Sequence, residues 1–175
     1  MTGGIKVNKD YIKKLLPEIN EIKNLKLRQA VINAWLLAMD RGKWKKIEKI
    51  PFTLLKQTSR TLVEHTRCVT RMAIAVAKTR RDLYFDVVVA GGLVHDVGKL
   101  MECELRNNKY VKSAYGKLVR HPVSGYGLVI DAGLPVEVAH IVAAHSEEGE
   151  KVTRSPEAVL IHHCDFIDYE IERQK

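Results

Sequence analysis

A largely helical single domain is predicted by three observations. Apolar residues recur at helical spacing over residues ~22–41 and ~62–80. Helix-start signals stand ahead of most apolar stretches. The chain has 175 residues and 46% hydrophobic content, with no internal repeat, low-complexity tract or Pro/Gly-rich linker, which suits one domain around one core.

The elements follow in order. Over ~22–41, Ile22, Leu25, Ile32, Leu36 and Met39 form one stripe, and Gly42 is placed as the residue just past the helix. A polar connector runs to Pro51. Thr61 as N-cap with Glu64 three residues on makes a capping box for the helix over ~62–80. Its stripe of Leu62, His65, Val69, Met72 and Val76 turns His65 inward, where an isolated histidine reads first as a satisfied core residue. Residues 83–101 stay open: Val87-Val88-Val89 favours strand, whereas the long apolar run through Ala90-Gly91-Gly92 suits a buried helix. Arg106-Asn107-Asn108-Lys109 marks a turn or loop within 103–120. Pro122 at the first helical position makes His121 cap-like, just outside a helix that stops at Gly133. Pro135 opens another helix, to about His145. Ser155, Pro156 and Glu157 are the N-cap, first position and first-turn acid of the last one.

Composition bounds the function. No apolar run approaches the ~20 residues of a membrane span. Met1-Thr2-Gly3-Gly4-Ile5-Lys6 lacks the apolar stretch of a secretion signal, so a soluble cytoplasmic protein is expected. Cys68, Cys103 and Cys164 are odd in number and far apart, and read as small buried hydrophobes rather than a zinc ribbon or disulfide frame. The net charge is +8 and the isoelectric point about 9.4, which favours anionic partners. Part of the excess lies in Lys43-Trp44-Lys45-Lys46 and Arg80-Arg81. Trp44 is the one aromatic residue within these runs, so no base-stacking platform is indicated and RNA has no motif of its own here.

The chemistry centres on His95-Asp96, set in Gly91-Gly92-Leu93-Val94-His95-Asp96-Val97-Gly98-Lys99. His65 lies thirty positions earlier, His121 and His145 follow, and Asp165 lies near the C-terminus. Four imidazoles and two carboxylates suit Mn, Fe, Co, Ni or Zn rather than a calcium cage. Six ligands exceed one tetrahedral site and suit two metals sharing a carboxylate. Asp96 is the natural bridge, because His95 beside it can anchor one ion. Against this stands the plain frequency of histidine, seven in this chain, with His121 before a proline a fair example of a cap.

The ordered set His65 … His95-Asp96 … His121 … His145 … Asp165 resembles the HD superfamily of metal-dependent phosphohydrolases. Val94-His95-Asp96-Val97-Gly98-Lys99 is similar to its central signature, and Arg120-His121-Pro122-Val123-Ser124-Gly125, Ala143-Ala144-His145-Ser146 and the helix around Asp165 to its later ligand segments. The similarity covers roughly residues 61–170. It implies an all-α fold, with residues 51–175 as the HD-type metal-binding domain, residues 1–50 as a helical extension packed on it, and 83–101 as helix. It implies a first metal on His65, His95, Asp96 and Asp165, and a second on His121 and His145, with Asp96 bridging. The activity implied is hydrolase chemistry on a nucleotide-type phosphoester, a phosphodiester before a monoester, by attack of a hydroxide held between metals ~3.5–4 Å apart.

Other residues are placed around that scheme. Asp96 and Lys99 are the candidate catalytic residues. Lys99 reads equally as a phosphoryl ligand or as a surface lysine at a helix end. Arg120 and His162 are candidate substrate contacts, with Lys112 and Lys117 as further rim cations. Glu64 is better explained by the capping box than as a ligand, and His140 points away. The chain lacks the Gly-Tyr-Pro signature of the cyclic-dinucleotide branch; Gly125-Tyr126-Gly127 does not stand for it. The partner expected is a phosphate-containing small molecule or nucleotide, and no membrane. Two other readings are carried: a regulatory metal-containing module that binds a nucleotide or RNA, and a di-iron oxygenase.

Overall fold

Three helix starts in this chain are set by side chains that receive the first free N–H groups, as shown by the computed structural model, which describes residues 9–56 and 58–175. Asn24 accepts from Lys26 and Leu27, Thr61 from Glu64, and Ser155 from Ala158. The Thr61–Glu64 capping box closes in both directions. Residues 1–6, weighed above as a leader, lie outside the described residues.

The elements are α1 (Lys9–Leu15), a 3-10 turn (Pro17–Glu21), α2 (Leu25–Arg41), α3 (Leu62–Ala77), α4 (Phe85–Val94), α5 (Lys99–Glu102), β1 (Cys103–Arg106), β2 (Lys109–Lys112), α6 (His121–Asp131), α7 (Val136–Ala144), a second 3-10 turn (Glu147–Lys151) and α8 (Pro156–Arg173). The fold is all-α with one small hairpin. Among the described residues no helix is long and apolar enough to cross a membrane.

The central helix is α4. Val88 through Val94 are fully buried, and α2, α3, α7 and α8 surround it. Burial on every side explains why an apolar run rich in β-branched residues reads like a strand yet forms a helix. Trp35 of α2 donates its indole N–H to Leu93 O at 2.9 Å. Ile12, Leu16, Ile19 and Ile22 join the same core, so residues 9–50 do not form a separate layer.

Three local expectations need correction, and the turn expected at 106–109 is present. The helix expected from ~22 begins at Leu25, because Asp86 accepts the N–H groups of Lys23 and Asn24 and holds them outside it. Gly42 closes α2 in the right-handed region, and Lys43, at φ 58°, is the left-handed residue beyond it. Glycine is required at 42 for space: a Cβ there would lie 2.3 Å from Leu100 O. Residues 83–101 are not one helix, since His95–Gly98 form a tight turn between α4 and α5. The loop at 106–109 is the turn of a hairpin, with Cys103 paired to Lys112 and Arg106 to Lys109. Asn107 and Asn108 both have positive φ (50° and 58°), as a two-residue hairpin turn needs.

Candidate metal centre

Three of the six candidate ligands sit where a helix starts or stops. His95 closes α4, His121 opens α6 and His145 closes α7. His121 is therefore the first helical residue rather than a cap outside the helix, and Arg120 takes the cap position without a side-chain bond. The acceptor for the His121 N–H comes instead from Glu102 Oε2, at 3.1 Å. His65 lies in the first turn of α3, directly after the capping box, and Asp165 lies in α8 against it.

Gly98 fixes the two halves of the site to one another. A Cβ at this position would lie 2.1 Å from His121 O and 2.7 Å from Gly125 N. Only glycine lets the turn that carries His95 and Asp96 rest against the start of α6.

Every one of the four imidazoles has its Nδ1 fixed on an oxygen. His65 Nδ1 lies 2.6 Å from Asp168 Oδ2, and His121 Nδ1 3.0 Å from Glu102 Oε2. His95 and His145 each reach back three residues, to Gly92 O and Val142 O, both at 2.8 Å. A ring nitrogen held this way carries the proton, which leaves Nε2 as the free donor atom for a cation.

The four Nε2 atoms converge on Asp96. Oδ2 of Asp96 lies 3.4 Å from His65 and 3.5 Å from His95, whereas Oδ1 lies 3.3 Å from His121 and 3.5 Å from His145. Asp165 Oδ1 is 3.0 Å from His65 and 3.9 Å from His95. Two groups of potential ligands result: His65, His95, Asp96 and Asp165, and Asp96, His121 and His145. Atoms bound ~2.0–2.2 Å from one ion lie about 3.0–3.5 Å apart, so the spacing fits a cation in each group. Asp96 Oδ1 and His145 Nε2 are buried and have no hydrogen-bond partner among the described residues. An orphaned buried polar atom costs about 1–3 kcal/mol. A cation addressed by both atoms would remove that cost, so the donor set fits metal ions.

Charge at the site is strongly redistributed by its neighbours. Burial opposes the imidazolium of His65, but Asp165, Asp168 and Asp96 overcome it and raise its pKa to about 10. Burial pushes His95 down to about 4 and lowers His121 as well. Burial also works against the Asp96 carboxylate, yet Lys99 and the imidazoles hold it well below the usual carboxylate range.

A cleft of about 390 Å³ opens onto the site. Asp96, Lys99, Glu102, Lys112 and Arg120 lie along it, with Phe52, Phe166 and Tyr169 as an aromatic wall. Lys99 is not a free surface lysine: its Nζ donates to Asp96 Oδ2 at 2.6 Å and to Phe52 O at 2.7 Å. Arg120 pairs with Glu148 at 2.9 Å and Lys112 with Glu102 at 3.2 Å. His162 is not among the cleft residues. Its Nδ1 holds His145 O at 2.7 Å and its ring lies on Phe166. His140 accepts the Ser155 N–H, and Glu64 serves the capping box.

Sequence reading missed Asp168, Arg60 and Glu102. Arg60 grips both oxygens of Asp168, at 3.0 and 2.5 Å, while Asp168 holds His65. Asp168 is three residues from Asp165, one turn along the same face, and was open to inference from spacing. Glu102 had no local signal, because its partner His121 is nineteen residues away. Replacing Glu102 with glutamine should weaken a cation held by Asp96, His121 and His145 10–100-fold and leave one held by His65, His95, Asp96 and Asp165 intact. Metal titration followed by elemental analysis reads this directly, and equal weakening of both ions would contradict it.

The model of the HD domain family matches residues 62–170. A curated relative from Methanocaldococcus jannaschii, a dihydroneopterin 2′,3′-cyclic phosphate phosphodiesterase, is 26% identical over 123 residues, which cover 63% of this chain and 47% of the relative. The chain thus spans about half the length of that relative. No solved structure matches the chain significantly.

Proposed function

The chain belongs to the HD domain family, and from that premise we propose that it is a two-metal phosphohydrolase acting on a nucleotide-type phosphodiester. The observation that carries the reading is Asp96 with one oxygen toward each pair of Nδ1-anchored histidines. His65, His95, Asp96 and Asp165 would hold the first ion, and Asp96, His121 and His145 the second. Two such ions supply an activated water nucleophile and neutralise phosphoryl oxygens. Mn, Fe, Co, Ni and Zn all suit the mixed nitrogen and oxygen donors.

The chain's own groups do the rest. Asp168 and Glu102 fix the tautomers of His65 and His121. Lys99 stands beside Asp96 in the cleft, positioned to take a phosphoryl oxygen, and Arg120 and Lys112 lie along the same cleft. Phe52, Phe166 and Tyr169 offer an apolar surface to the organic part of the substrate. The diester preference is supported by the name of the relative, a cyclic phosphate phosphodiesterase.

The test is turnover of bis-p-nitrophenyl phosphate and a panel of 2′,3′-cyclic nucleotides with Mn²⁺, Co²⁺ and Ni²⁺. Release of p-nitrophenol or opening of a cyclic phosphate is the expected result. Metal-loaded protein that turns over none of them overturns the assignment.

A further inference from the structure

The charge of this protein is divided unevenly. Residues 9–50 contain eleven lysines and arginines against five acids, whereas residues 51–175 contain seventeen against sixteen. Almost all of the surplus therefore lies on the N-terminal extension, and the part that carries the metal ligands is close to neutral. Two of the five acids are spent elsewhere: buried Glu18 binds Arg67 and Arg71, and Glu21 reaches Lys78 at 3.9 Å.

The cations of the extension are gathered, exposed and largely free. Lys43, Lys45, Lys46 and Lys49 are all exposed, and Lys43, Lys45 and Lys49 make no ion pair among the described residues. Tyr11 Oη accepts the Ile47 N–H at 3.0 Å, which sets α1, with exposed Lys9 and Lys14, beside this segment.

This basic segment is anchored to the cleft. Trp44 is buried, donates its indole N–H to Leu100 O at 2.6 Å and packs on Tyr110 with ring centroids 6.3 Å apart. Leu100 lies in α5, between the cleft residues Lys99 and Glu102, and Tyr110 lies in β2, two residues from the cleft residue Lys112. Lys49 is two residues from Pro51, where the cleft wall of residues 51–55 begins, a separation of at most ~7 Å along the backbone.

We propose that residues 9–50 form a nucleic-acid-binding face that grips a strand through its phosphates and leads its end into the cleft. Phosphates are the chemistry that a field of free lysines takes up, by releasing counterions. Contacts to bases are not part of it: Trp35 and Trp44 are buried and the Tyr11 hydroxyl is already used. A lipid surface fits less well, because Leu25 is the one large apolar residue exposed among residues 9–50 and no apolar face is left to insert. Delivery of the strand's end rests on the phosphohydrolase reading, whereas the binding does not.

The experiment is fluorescence anisotropy of the full chain with a labelled single-stranded RNA of about twenty nucleotides, titrated across KCl concentration. About five phosphate contacts give a slope of log K against log salt near −3.5, a loss of about 100-fold between ~50 and ~200 mM. The triple variant Lys45→Glu, Lys46→Glu and Lys49→Glu should bind at least ~10-fold more weakly and with a shallower slope, since three contacts are lost. Its thermal midpoint and its turnover of bis-p-nitrophenyl phosphate should not change. Asp96→Ala should bind RNA as the native protein does, so loss of the catalytic reading leaves this one standing. No RNA binding, a slope shallower than about −1, or unchanged binding by the triple variant overturns the proposal. Binding to vesicles containing phosphatidylserine without binding to RNA overturns it in favour of a lipid surface.

Discussion

Replacing Asp96 with alanine should abolish turnover and reduce the metal content from about two ions per chain to fewer than one. The side chain is fully buried and touches the donor atoms of all four histidines, so its loss removes a ligand from each group at once. Lewis-acid activation is worth several kcal/mol, and each 1.36 kcal/mol is tenfold in rate, so a fall of at least ~1,000-fold is expected. His121→Ala is the informative comparison. It should lose the second ion and keep the first, because His65, His95, Asp96 and Asp165 are untouched. If Asp96→Ala retained two ions per chain, the bridging role would be wrong.

The second large effect is expected at Gly98, which ligates nothing. An added Cβ would stand 2.1 Å from His121 O and 2.7 Å from Gly125 N, and both neighbours are backbone. Backbone does not yield as a flexible side chain does, so Gly98→Ala must push the His95–Gly98 turn away from α6. Overpacking in a well-filled interior costs about 1–3 kcal/mol, and this contact should reach the upper end of that range. The same shift should pull Asp96 Oδ1 away from His121, so affinity for the second ion should fall more than affinity for the first. Thermal unfolding and metal titration of the variant measure the two consequences separately. An unchanged midpoint with native metal content would mean that α6 can retreat without cost.

Much of this arrangement was legible in the sequence, for reasons that differ by residue. Thr61–Glu64 and Ser155-Pro156-Glu157 announce their helices because the groups that cap them are local. The order His65, His95-Asp96, His121, His145, Asp165 is likewise readable, and the structure brings these six side chains together. What resisted reading depends on distant partners. The start of α6 is completed by Glu102, so His121 looked like its own cap. The strands at 103–106 and 109–112 are four residues each and show no clean alternation of burial, which leaves only Asn107-Asn108 to signal a hairpin. The end of α4 was hidden because the apolar run continues through Val97 and Leu100, both buried beyond the turn.

The closures of α4 at His95 and α7 at His145 have an electrostatic consequence. Each helix end carries up to about half a negative charge, reduced where Gly92 O, Val142 O and His145 O accept from His95, His145 and His162, and both ends finish at the candidate ligands. The start of α6 would supply the opposite sign, but the Glu102 carboxylate already neutralises it. With Asp96 and Asp165, both ends add negative potential where a cation would sit, and Lys99, 2.6 Å from Asp96, offsets part of it. Unwinding the last turn of either helix would alter that balance while every ligand stayed in the sequence.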